Sequence, residues 1–408
     1  MTRFISEFKY FIIKVISSVI CLFCGSKKII IFESASDFCD NTRALYDYMM
    51  DQKLYKKYKM VWFVRDEKSI ERLSGKYENT YFKKLSYSPN PFSKTFWTMM
   101  YYFSVASYTF YSHDFIGGEG NKKQRRVYLT HGAAPLKNTK GFYGLAKHNT
   151  DILITSEFTG YYSSMVLEGS IDFFRILGLP RCDKLFIKDK NISKILPDKK
   201  YNKKIIWMPT FKHINNASRN DFKQDVKEDI SLLNGNNIEK INKELKEKNM
   251  LLIIKFHPAQ DMNYVKEFNK SNVISLTNKD LDEKEINLYS FMGECDALIT
   301  DFSSVYFDYL LCDKPIAFEL TDKEKFEKGI GFTFDKPFEY MPGDKIFGID
   351  DFLKFIEDIS DNKDNFKEDR REFTKKCHKY IDGNSSKRVY EYFGFDNINN
   401  NDIIKSNY

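Results

Sequence analysis

The sequence has little of what marks a membrane-spanning, secreted or disulfide-rich protein. Its 408 residues contain no uninterrupted apolar run of roughly 20 residues, the length that a transmembrane helix needs. No convincing cleavage site of small residues follows the apolar N-terminus, which counts against a secretory signal. The seven cysteines are scattered, and only Cys21 and Cys24 have C-x-x-C spacing. This pattern favours buried thiols in a reducing compartment over a disulfide framework or a zinc site.

Several common ligand-binding motifs are also absent. The sequence has no G-x-x-x-x-G-K-[ST] loop and no G-x-G-x-x-G after a strand, which argues against P-loop and standard dinucleotide-binding proteins. It has no RNA-binding signature or zinc-finger spacing, and its net charge of +7 is spread out, so we expect anionic partners other than nucleic acid. Asp280 and Asp282 have D-x-D spacing, but they lie in a stretch rich in Lys and Glu. We expect neither a metal nor a cofactor.

The N-terminal segment is the most apolar part of the chain, although Glu7, Lys9 and Lys14 interrupt it. On a helical projection, one arc is polar and the opposite face is apolar. The polar arc carries Arg3, Ser6, Glu7, Tyr10, Lys14, Ser17 and Ser18, and the apolar face carries Phe4, Ile5, Phe8, Ile12, Ile16, Val19, Ile20 and Phe23. We predict that residues 1–26 form an amphipathic anchor in the plane of an anionic membrane, supported by the basic stretches 53–59 and 122–126. The alternatives are a surface helix packed on its own domain and a transmembrane helix.

Short apolar runs rich in β-formers alternate with helical patterns along most of the chain. This rhythm indicates parallel sheets in an α/β architecture. A stretch rich in Lys, Asn, Asp and Pro interrupts it at 187–203 and is typical of a linker. We therefore predict two Rossmann-like domains, 27–190 and 200–385, that face a cleft at the carboxyl ends of their strands. A C-terminal helix and tail would occupy 386–408.

The stretch from Thr300 to Val305 predicts a strand, a tight turn and the start of a helix. It contains Asp301, Ser303 and Ser304. A helix that begins with two serines offers free backbone N–H groups, hydroxyls and the positive end of a dipole, all of which suit phosphate. The alternative is that these serines are ordinary helix N-caps without a ligand.

Two further polar clusters follow predicted strands. His131 and Gly132 come directly after the strand 127–130, with Lys137 beyond them, and a histidine there can be a general base near neutral pH. In Lys255-Phe-His257-Pro258, alternation directs the lysine and the histidine to one side of the strand, where two cations suit a phosphate. The alternatives are a structural histidine and a solvated Lys-His pair.

Other candidates stand at comparable positions. Arg181 follows the strand 174–177, and Thr210 and Lys212 follow the strand 205–208. Both cation types fit oxyanions, although only arginine has bidentate geometry. Asp382-Gly-Asn-Ser-Ser386 precedes a helix that contains Arg388, which predicts another cap with anion-binding potential.

The ordered set of these motifs resembles the CDP-glycerol glycerophosphotransferase family, the primases and polymerases of wall teichoic acid and related capsules. The resemblance covers about residues 28–393 and includes the opening Asp40-Asn41. Its motifs are His131-Gly-x-x-x-Lys137, Gly178-Leu-Pro-Arg-x-Asp183, Pro209-Thr-Phe-Lys212, Lys255-x-His-Pro258, Thr300-Asp-Phe-Ser-Ser-Val-x-Phe-Asp-Tyr309 and Asp382-Gly383.

The resemblance implies a GT-B fold and a peripheral enzyme on the cytoplasmic face of the cell membrane. The implied reaction transfers an alditol phosphate from CDP-glycerol or another CDP-alditol to a hydroxyl of a lipid-linked or polymeric acceptor, and it releases CMP. His131 would take the proton of the acceptor hydroxyl, and His257 would contact the donor diphosphate. Ser303 and Ser304 would hold phosphates, and Asp301 would order their turn.

The remaining candidates for substrate binding are Lys137, Arg181, Thr210, Lys212, Lys255, Pro258 and Arg388. Lys212 stands where the family often has arginine, and Phe302 replaces a common tyrosine. A homo-oligomer stays open. The alternative function is a GT-B glycosyltransferase that uses a nucleotide sugar for cell-surface polysaccharide synthesis.

Overall fold

The computed structural model describes residues 2–34, 36–86, 90–112, 121–134, 136, 138, 150–167, 171–209, 231–233, 235–256, 268–328 and 331–396. Thirteen strands in these ranges form two sheets, and every pairing between the strands is parallel. The first sheet contains β1 Lys27–Glu33, β2 Lys59–Val64, β3 Thr80–Lys84, β4 Ala106–Tyr111, β5 Arg125–Tyr128, β6 Thr150–Ile154 and β7 Phe174–Ile176. The second contains β8 Lys203–Met208, β9 Met250–Lys255, β10 Val273–Leu276, β11 Ala297–Thr300, β12 Ile316–Glu319 and β13 Asp344–Ile346.

Helices connect these strands. They are α1 Thr2–Cys24, α2 Asp40–Asp51, α3 Glu67–Leu73, α4 Lys94–Val105, α5 Glu157–Val166, α6 Asn237–Glu247, α7 Asn278–Glu283, α8 Leu288–Glu294, α9 Val305–Tyr309, α10 Lys323–Lys328, α11 Ile349–Ser360, α12 Lys367–Cys377 and α13 Ser385–Tyr392. A 3-10 helix, Pro180–Phe186, follows β7.

Both sheets have the doubly wound strand order. The first runs β3-β2-β1-β4-β5-β6-β7 and the second β10-β9-β8-β11-β12-β13. The order reverses between β1 and β4 and between β8 and β11, and ligands of such sheets bind beyond the carboxyl ends of the strands at these points. The α/β architecture with parallel sheets is therefore as the sequence predicts. We call the part built on the first sheet the first lobe and the part built on the second sheet the second lobe.

Most of the strands are buried on both faces, as in other sheets covered by helices, while β3, β7 and β13 are partly exposed. Ile30 and Phe32 face a core that continues into the second lobe through Ile206 and Leu298. Ile29 and Ile31 face the opposite side, where α4 covers them. Continuous apolar strands of this kind give strong sequence signals, which is why most of the strands could be predicted.

Helix α1 packs lengthwise on α4 of the first lobe. Ser17 is fully buried there and accepts a hydrogen bond from Ser104 Oγ at 3.0 Å, although its position on the polar arc suggests contact with solvent. An apolar stripe beside this contact stays exposed and consists of Phe11, Ile12, Val15, Val19, Leu22 and Phe23. Among the described residues, no helix is long and apolar enough to cross a membrane.

The basic stretch 122–126 is only partly a charged surface. Arg126 is buried and its Nε donates to Gln124, while Arg125 pairs with Asp151 at 2.9 Å. Lys122 and Lys123 are exposed. Two of the cations predicted to face lipid therefore have structural partners.

The chain returns to the first lobe at its C-terminal end. Thr155 Oγ1 donates to Cys377 O at 2.6 Å, at the end of α12, and α13 then packs on α2. The rings of Tyr48 and Tyr390 lie 5.6 Å apart, and Phe393 contacts Phe110 edge-on. This return fixes the second lobe against the first.

His378, at this crossing, gives the fold a pH dependence. It is buried, and its Nε2 lies 2.7 Å from Phe307 O, where an N–H donates to the carbonyl. Burial lowers its pKa below the ordinary value, and the bond to Phe307 and the nearby charge of Asp308 only partly oppose this. The stabilising contribution of the neutral ring is complete above a pH of about 6.5 and is lost as the pH falls below it, because the unfolded chain then binds a proton that the folded chain does not.

We therefore expect the wild-type protein to lose up to about 1.4 kcal/mol of unfolding free energy per pH unit from His378 as the pH falls below about 6.5. A His378→Gln variant keeps a donor but does not titrate, so its stability should fall less over the same range. Urea unfolding of both proteins at pH 7.5 and 5.5 measures the difference. Identical losses in the two proteins would contradict the assignment.

Candidate active site between the two lobes

His131 lies just beyond the carboxyl end of β5, and a buried carboxylate orients it. Its Nδ1 is 3.1 Å from Asp40 Oδ2, and about half of its side chain is exposed. Burial alone would raise the pKa of Asp40, but Arg181 and His131 hold it well below its usual range. An ionised carboxylate only accepts hydrogen bonds, so it fixes the Nδ1–H tautomer and leaves the Nε2 lone pair for a proton. This is the arrangement that a general base requires.

The turn that carries His131 is held in an uncommon conformation. Thr130 has φ +57° and Asp40 has φ +62°, in the left-handed region that residues other than glycine rarely adopt. Asn41, which is fully buried, donates from Nδ2 to the carbonyls of Leu129 and Thr130, both at 3.1 Å. Backbone strain of this kind persists only where the surroundings enforce it, and it clusters at functional sites.

The His131 turn meets the second lobe directly. A Cβ on Gly132 would lie 2.7 Å from Ser304 Oγ, so the absence of a side chain lets the two strand ends approach closely. Farther along, Thr333 N donates to Leu136 O at 3.0 Å and Asn138 N donates to Gly331 O at 3.2 Å. The carboxyl ends of β5 and β11 therefore lie against each other, with His131 on one side and Ser304 on the other.

The start of α9 has the form predicted for a phosphate site. β11 ends at Thr300, and α9 begins at Val305. Ser303 and Ser304 are partly exposed, and Ser304 makes no side-chain cap bond. Asp301 is buried within the turn. The Ser304 hydroxyl is therefore not used up as an ordinary cap, whereas Ser303 Oγ accepts a long hydrogen bond from Val305 N at 3.4 Å.

Phe302, where the family often has tyrosine, packs among aromatic rings. Its ring stacks on Phe326 at 4.1 Å and meets Phe332 edge-on. The side chain is buried in an apolar cluster. It anchors the turn by packing.

Lys255 brings a buried cation to the same edge of the second sheet. It ends β9, two strands from β11, and its side chain is almost fully buried. Nζ donates to Phe256 O at 2.8 Å. Burial lowers its pKa to about 8, opposed by Asp282 and Asp280, so it remains mostly cationic at neutral pH.

Arg181 occupies a different place from the one predicted. The sequence suggests an oxyanion ligand at the cleft, but the guanidinium is buried between two carboxylates of the protein. Nη1 donates to Asp40 Oδ1 at 2.6 Å and Nη2 to Asp308 Oδ2 at 2.7 Å. Tyr289 OH donates to the same oxygen of Asp308. A contact of Arg181 with substrate stays a prediction, without support from this geometry.

The guanidinium of Arg388 also contacts groups of the protein instead of lying exposed at the surface. Its Nε donates to Leu177 O, Nη1 contacts both oxygens of Asp382, and Nη2 donates to Ser385 Oγ. The predicted anion at the start of α13 is the carboxylate of Asp183, which accepts the N–H groups of Ser385 and Ser386, both at 2.7 Å. Binding of substrate by Arg388 stays a prediction, and its observed role is to hold α13.

The predictions for Lys137, Thr210, Lys212, His257 and Pro258 fall outside the described residues. Asp280 completes a capping box at the start of α7, where its Oδ2 accepts from Thr277 N and Thr277 Oγ1. This capping role accounts for Asp280, one of the two aspartates with D-x-D spacing. In the described ranges, no group of three or more His, Cys, Asp or Glu side chains could hold a metal ion.

Sequence reasoning assigned no role to four residues of the site: Asp40, Asn41, Asp308 and Tyr289. Asp40 and Asn41 carry a signal, since they stand in the turn after β1 beside the predicted switch point. Asp308 lies four residues after Ser304, one helical turn along the same face. Tyr289 has no sequence signal that we recognise.

The family model of CDP-glycerol:poly(glycerophosphate) glycerophosphotransferase matches residues 16–393. The chain belongs to this family. In fold it is similar to the wall teichoic acid polymerase TagF, with a TM-score of 0.66 at 18% identity, covering 91% of this chain and 90% of that one. The family that the motifs suggest is therefore confirmed.

Curated relatives carry teichoic acid names. The chain is 27% identical to a teichoic acid ribitol-phosphate primase of Bacillus spizizenii, over 53% of this chain and 51% of the relative. It is 24% identical to a teichoic acid poly(glycerol phosphate) polymerase of Staphylococcus epidermidis, over 78% of this chain and 43% of the relative. The chain thus spans about half or less of these proteins. A poly(glycerol phosphate) polymerase of B. spizizenii is matched over 95% of its length, at 25% identity.

Proposed function

We propose that this family member transfers glycerol phosphate, or another alditol phosphate, from a CDP-alditol to a hydroxyl of a lipid-linked or polymeric acceptor, in teichoic acid or capsule biosynthesis. The observation that carries the proposal is the close approach of the His131-Gly132 turn to Ser304. Asp40 orients the imidazole of His131, and the next residue, Gly132, closely approaches Ser304, whose hydroxyl makes no cap bond. A base and an anion site on opposite sides of one junction suit transfer of a phosphoryl group to an alcohol.

These positions support the following reaction. The acceptor hydroxyl loses its proton to Nε2 of His131, and its oxygen attacks the β-phosphorus of the donor. The bond from this phosphorus to the bridging oxygen breaks, and CMP leaves with that oxygen. Ser303, Ser304 and the cationic Lys255 lower the cost of the negative charge on the phosphate oxygens. The work of the protein is mainly positioning and electrostatic stabilisation.

The choice of donor rests on the family and on its relatives. One solved structure of TagF comes from a crystal soaked with CDPG for 15 minutes. The names of the relatives include both glycerol-phosphate and ribitol-phosphate enzymes. We propose a CDP-alditol as the donor class for this chain.

A panel of donors tests the proposal. Purified protein is incubated with CDP-glycerol, CDP-ribitol, UDP-glucose or UDP-N-acetylglucosamine, together with a soluble lipid-linked acceptor, and nucleotide release is followed by chromatography. We expect CMP from a CDP-alditol, in amounts equal to the new phosphodiester, and no nucleotide from the sugar donors. Release of UDP with formation of a glycoside would instead assign the chain to the glycosyltransferases.

We also propose that the enzyme binds the cytoplasmic face of the cell membrane from one side. Helix α1 has its packed face on α4, while Phe11, Leu22 and Phe23 are 60%, 80% and 83% exposed. Phe92 and Trp97, near the start of α4, are exposed as well. An apolar stripe flanked by Lys14, Lys27 and Lys28 suits the boundary between acyl chains and anionic headgroups.

Replacing Phe11, Leu22 and Phe23 together with serine should weaken binding to anionic vesicles at least about tenfold, because most of the inserted apolar area is lost. Turnover on a soluble acceptor should stay near the wild-type rate, since the packed face of α1 is unchanged. Vesicle sedimentation measures the binding. Phe347→Ser, at a residue 60% exposed on the second lobe, is the matched control and should bind like the wild type. Equal binding of the triple variant would contradict the membrane proposal.

A further inference from the structure

A buried chain of charges connects the base to the helix of the serine site. We propose that Arg181 and Asp308 are positioning residues, and that they make the orientation of His131 depend on the position of α9. The inference rests on the proposed function, because it concerns the same base. It adds a coupling between the two lobes, by which His131 keeps its catalytic orientation only while α9 is in place.

The contacts run without a break from one lobe to the other. His131 Nδ1 contacts Asp40 Oδ2, Asp40 Oδ1 accepts from Arg181 Nη1, and Arg181 Nη2 donates to Asp308 Oδ2. Asp40 belongs to α2 of the first lobe, and Asp308 to α9 of the second. Arg181 lies on the 3-10 helix between them, and its backbone N–H is fixed by Asn41 Oδ1 at 3.1 Å.

Burial makes this chain sensitive to geometry. The side chains of Arg181 and Asp40 are 8% exposed, and that of Asp308 is fully buried. Water cannot replace a lost partner at such sites, so each charge depends on the other two. The fork of a guanidinium fits two carboxylates at fixed angles, which an ammonium group cannot reproduce.

The position of Asp308 links this series of charged contacts to the donor site. It follows Ser304 by one turn of α9, so a shift of that helix moves the hydroxyls and the carboxylate together. If Asp308 moves, Arg181 must turn with it or give up one contact, and Asp40 then changes its direction toward His131. A displacement of about 1 Å at a catalytic group can lower the rate about 100-fold.

A purely structural ion pair is the competing explanation, since buried salt bridges often affect only stability. The two explanations differ in what they predict for His131. Among the described residues, the charged groups connected to the His131 ring by these contacts are Asp40, Arg181 and Asp308. Their net charge is −1. Replacing Asp308 with asparagine makes that net charge zero and weakens the hold on one arm of Arg181, so Asp40 loses its fixed direction toward His131 Nδ1 if the residues are coupled and keeps it if the pair is only structural.

The test compares Asp308→Asn with Arg181→Lys and with a control. In Asp308→Asn, we expect kcat to fall about 10- to 100-fold with the KM for CDP-glycerol within about threefold. The acid limb of the kcat/KM profile should move to lower pH by roughly half a unit. Arg181→Lys keeps the charge but loses the fork, so kcat should fall in the same way without that pH shift.

Asp364→Asn is the matched control, because Asp364 pairs with the fully buried Arg370 away from this chain. It should lower the thermal midpoint while kcat and the pH profile stay as in the wild type. If Asp308→Asn behaves like this control, the positioning role is overturned.

A spectroscopic readout separates this inference from the proposed function. Histidine-selective ¹⁵N labelling follows the tautomer of the His131 ring at pH 7.5 without any substrate, with His131→Gln used to assign the signal. A smaller fraction of the Nδ1–H tautomer in Asp308→Asn than in the wild type supports the coupling even if CDP-glycerol proves to be the wrong donor. An unchanged tautomer fraction overturns it, whatever the donor.

Discussion

The His131→Ala variant is expected to lose about 10²- to 10⁴-fold in kcat for alditol-phosphate transfer, the range that a positioned general base contributes. The imidazole is half exposed at the junction, and Asp40 fixes its tautomer so that Nε2 faces outward as an acceptor. Alanine removes the only described imidazole at this junction. The affinity for CDP-glycerol should change little, because the proposed donor contacts lie on the second lobe.

Asp364→Asn serves as the control here as well, because Asp364 pairs with the buried Arg370 in another part of the second lobe. We expect this control to keep kcat within about threefold of the wild type at pH 7.5. Initial rates of CMP release at saturating donor measure both variants. A His131→Ala protein that turns over within tenfold of the wild type would remove the base from the mechanism.

The Asp183→Asn variant is expected to lose about 2–4 kcal/mol of unfolding free energy. Asp183 is buried, and its two oxygens accept the N–H groups of Ser385 and Ser386 at the positive end of α13. Burial raises the pKa of Asp183, while the bonds to Ser386 and Ser385 lower it. An asparagine keeps the shape but directs an NH₂ group at a backbone donor, so one bond is lost and one N–H stays buried without a partner.

Urea unfolding at pH 7.5 measures this loss, with Asp382→Asn as the control. Asp382 pairs with Arg388 at an exposed position near the same helix, and such pairs contribute about 0–1 kcal/mol. The Asp183 variant should also release α13 from α2, which limited proteolysis at the C-terminal helix detects. Equal stability of the two variants would show that the cap does not hold the lobes together.

The alternation of apolar runs with helical patterns predicted the fold, because most strands are apolar on both faces. β3 and β13 lack this apolar pattern, and both are edge strands with polar sequences, Thr80-Tyr-Phe-Lys-Lys84 and Asp344-Lys-Ile346. An edge strand has one open side and carries charge there, so its apolar signal is weak.

Within the candidate site, the placement of His131 and Ser304 beyond strand ends was predictable, because each motif follows a strand. The site was not predictable where the partners come from distant segments. Asp40 is 91 residues from His131, and Asp308 is 127 residues from Arg181. Nothing local distinguishes a cation that binds a ligand from one that binds a carboxylate of the protein, which is why Arg181 and Arg388 were assigned to substrate.

The most direct test of the account separates donor binding from chemistry across the junction. The dissociation constant for CDP-glycerol and the single-turnover rate are measured on the wild type, Ser304→Ala and His131→Ala. We predict that Ser304→Ala weakens binding about tenfold, and that His131→Ala binds within about threefold of the wild type but transfers at least about 100 times more slowly. If His131→Ala lost affinity and kept its rate, or if Ser304→Ala changed neither quantity, a base and a phosphate site facing each other could not describe this protein.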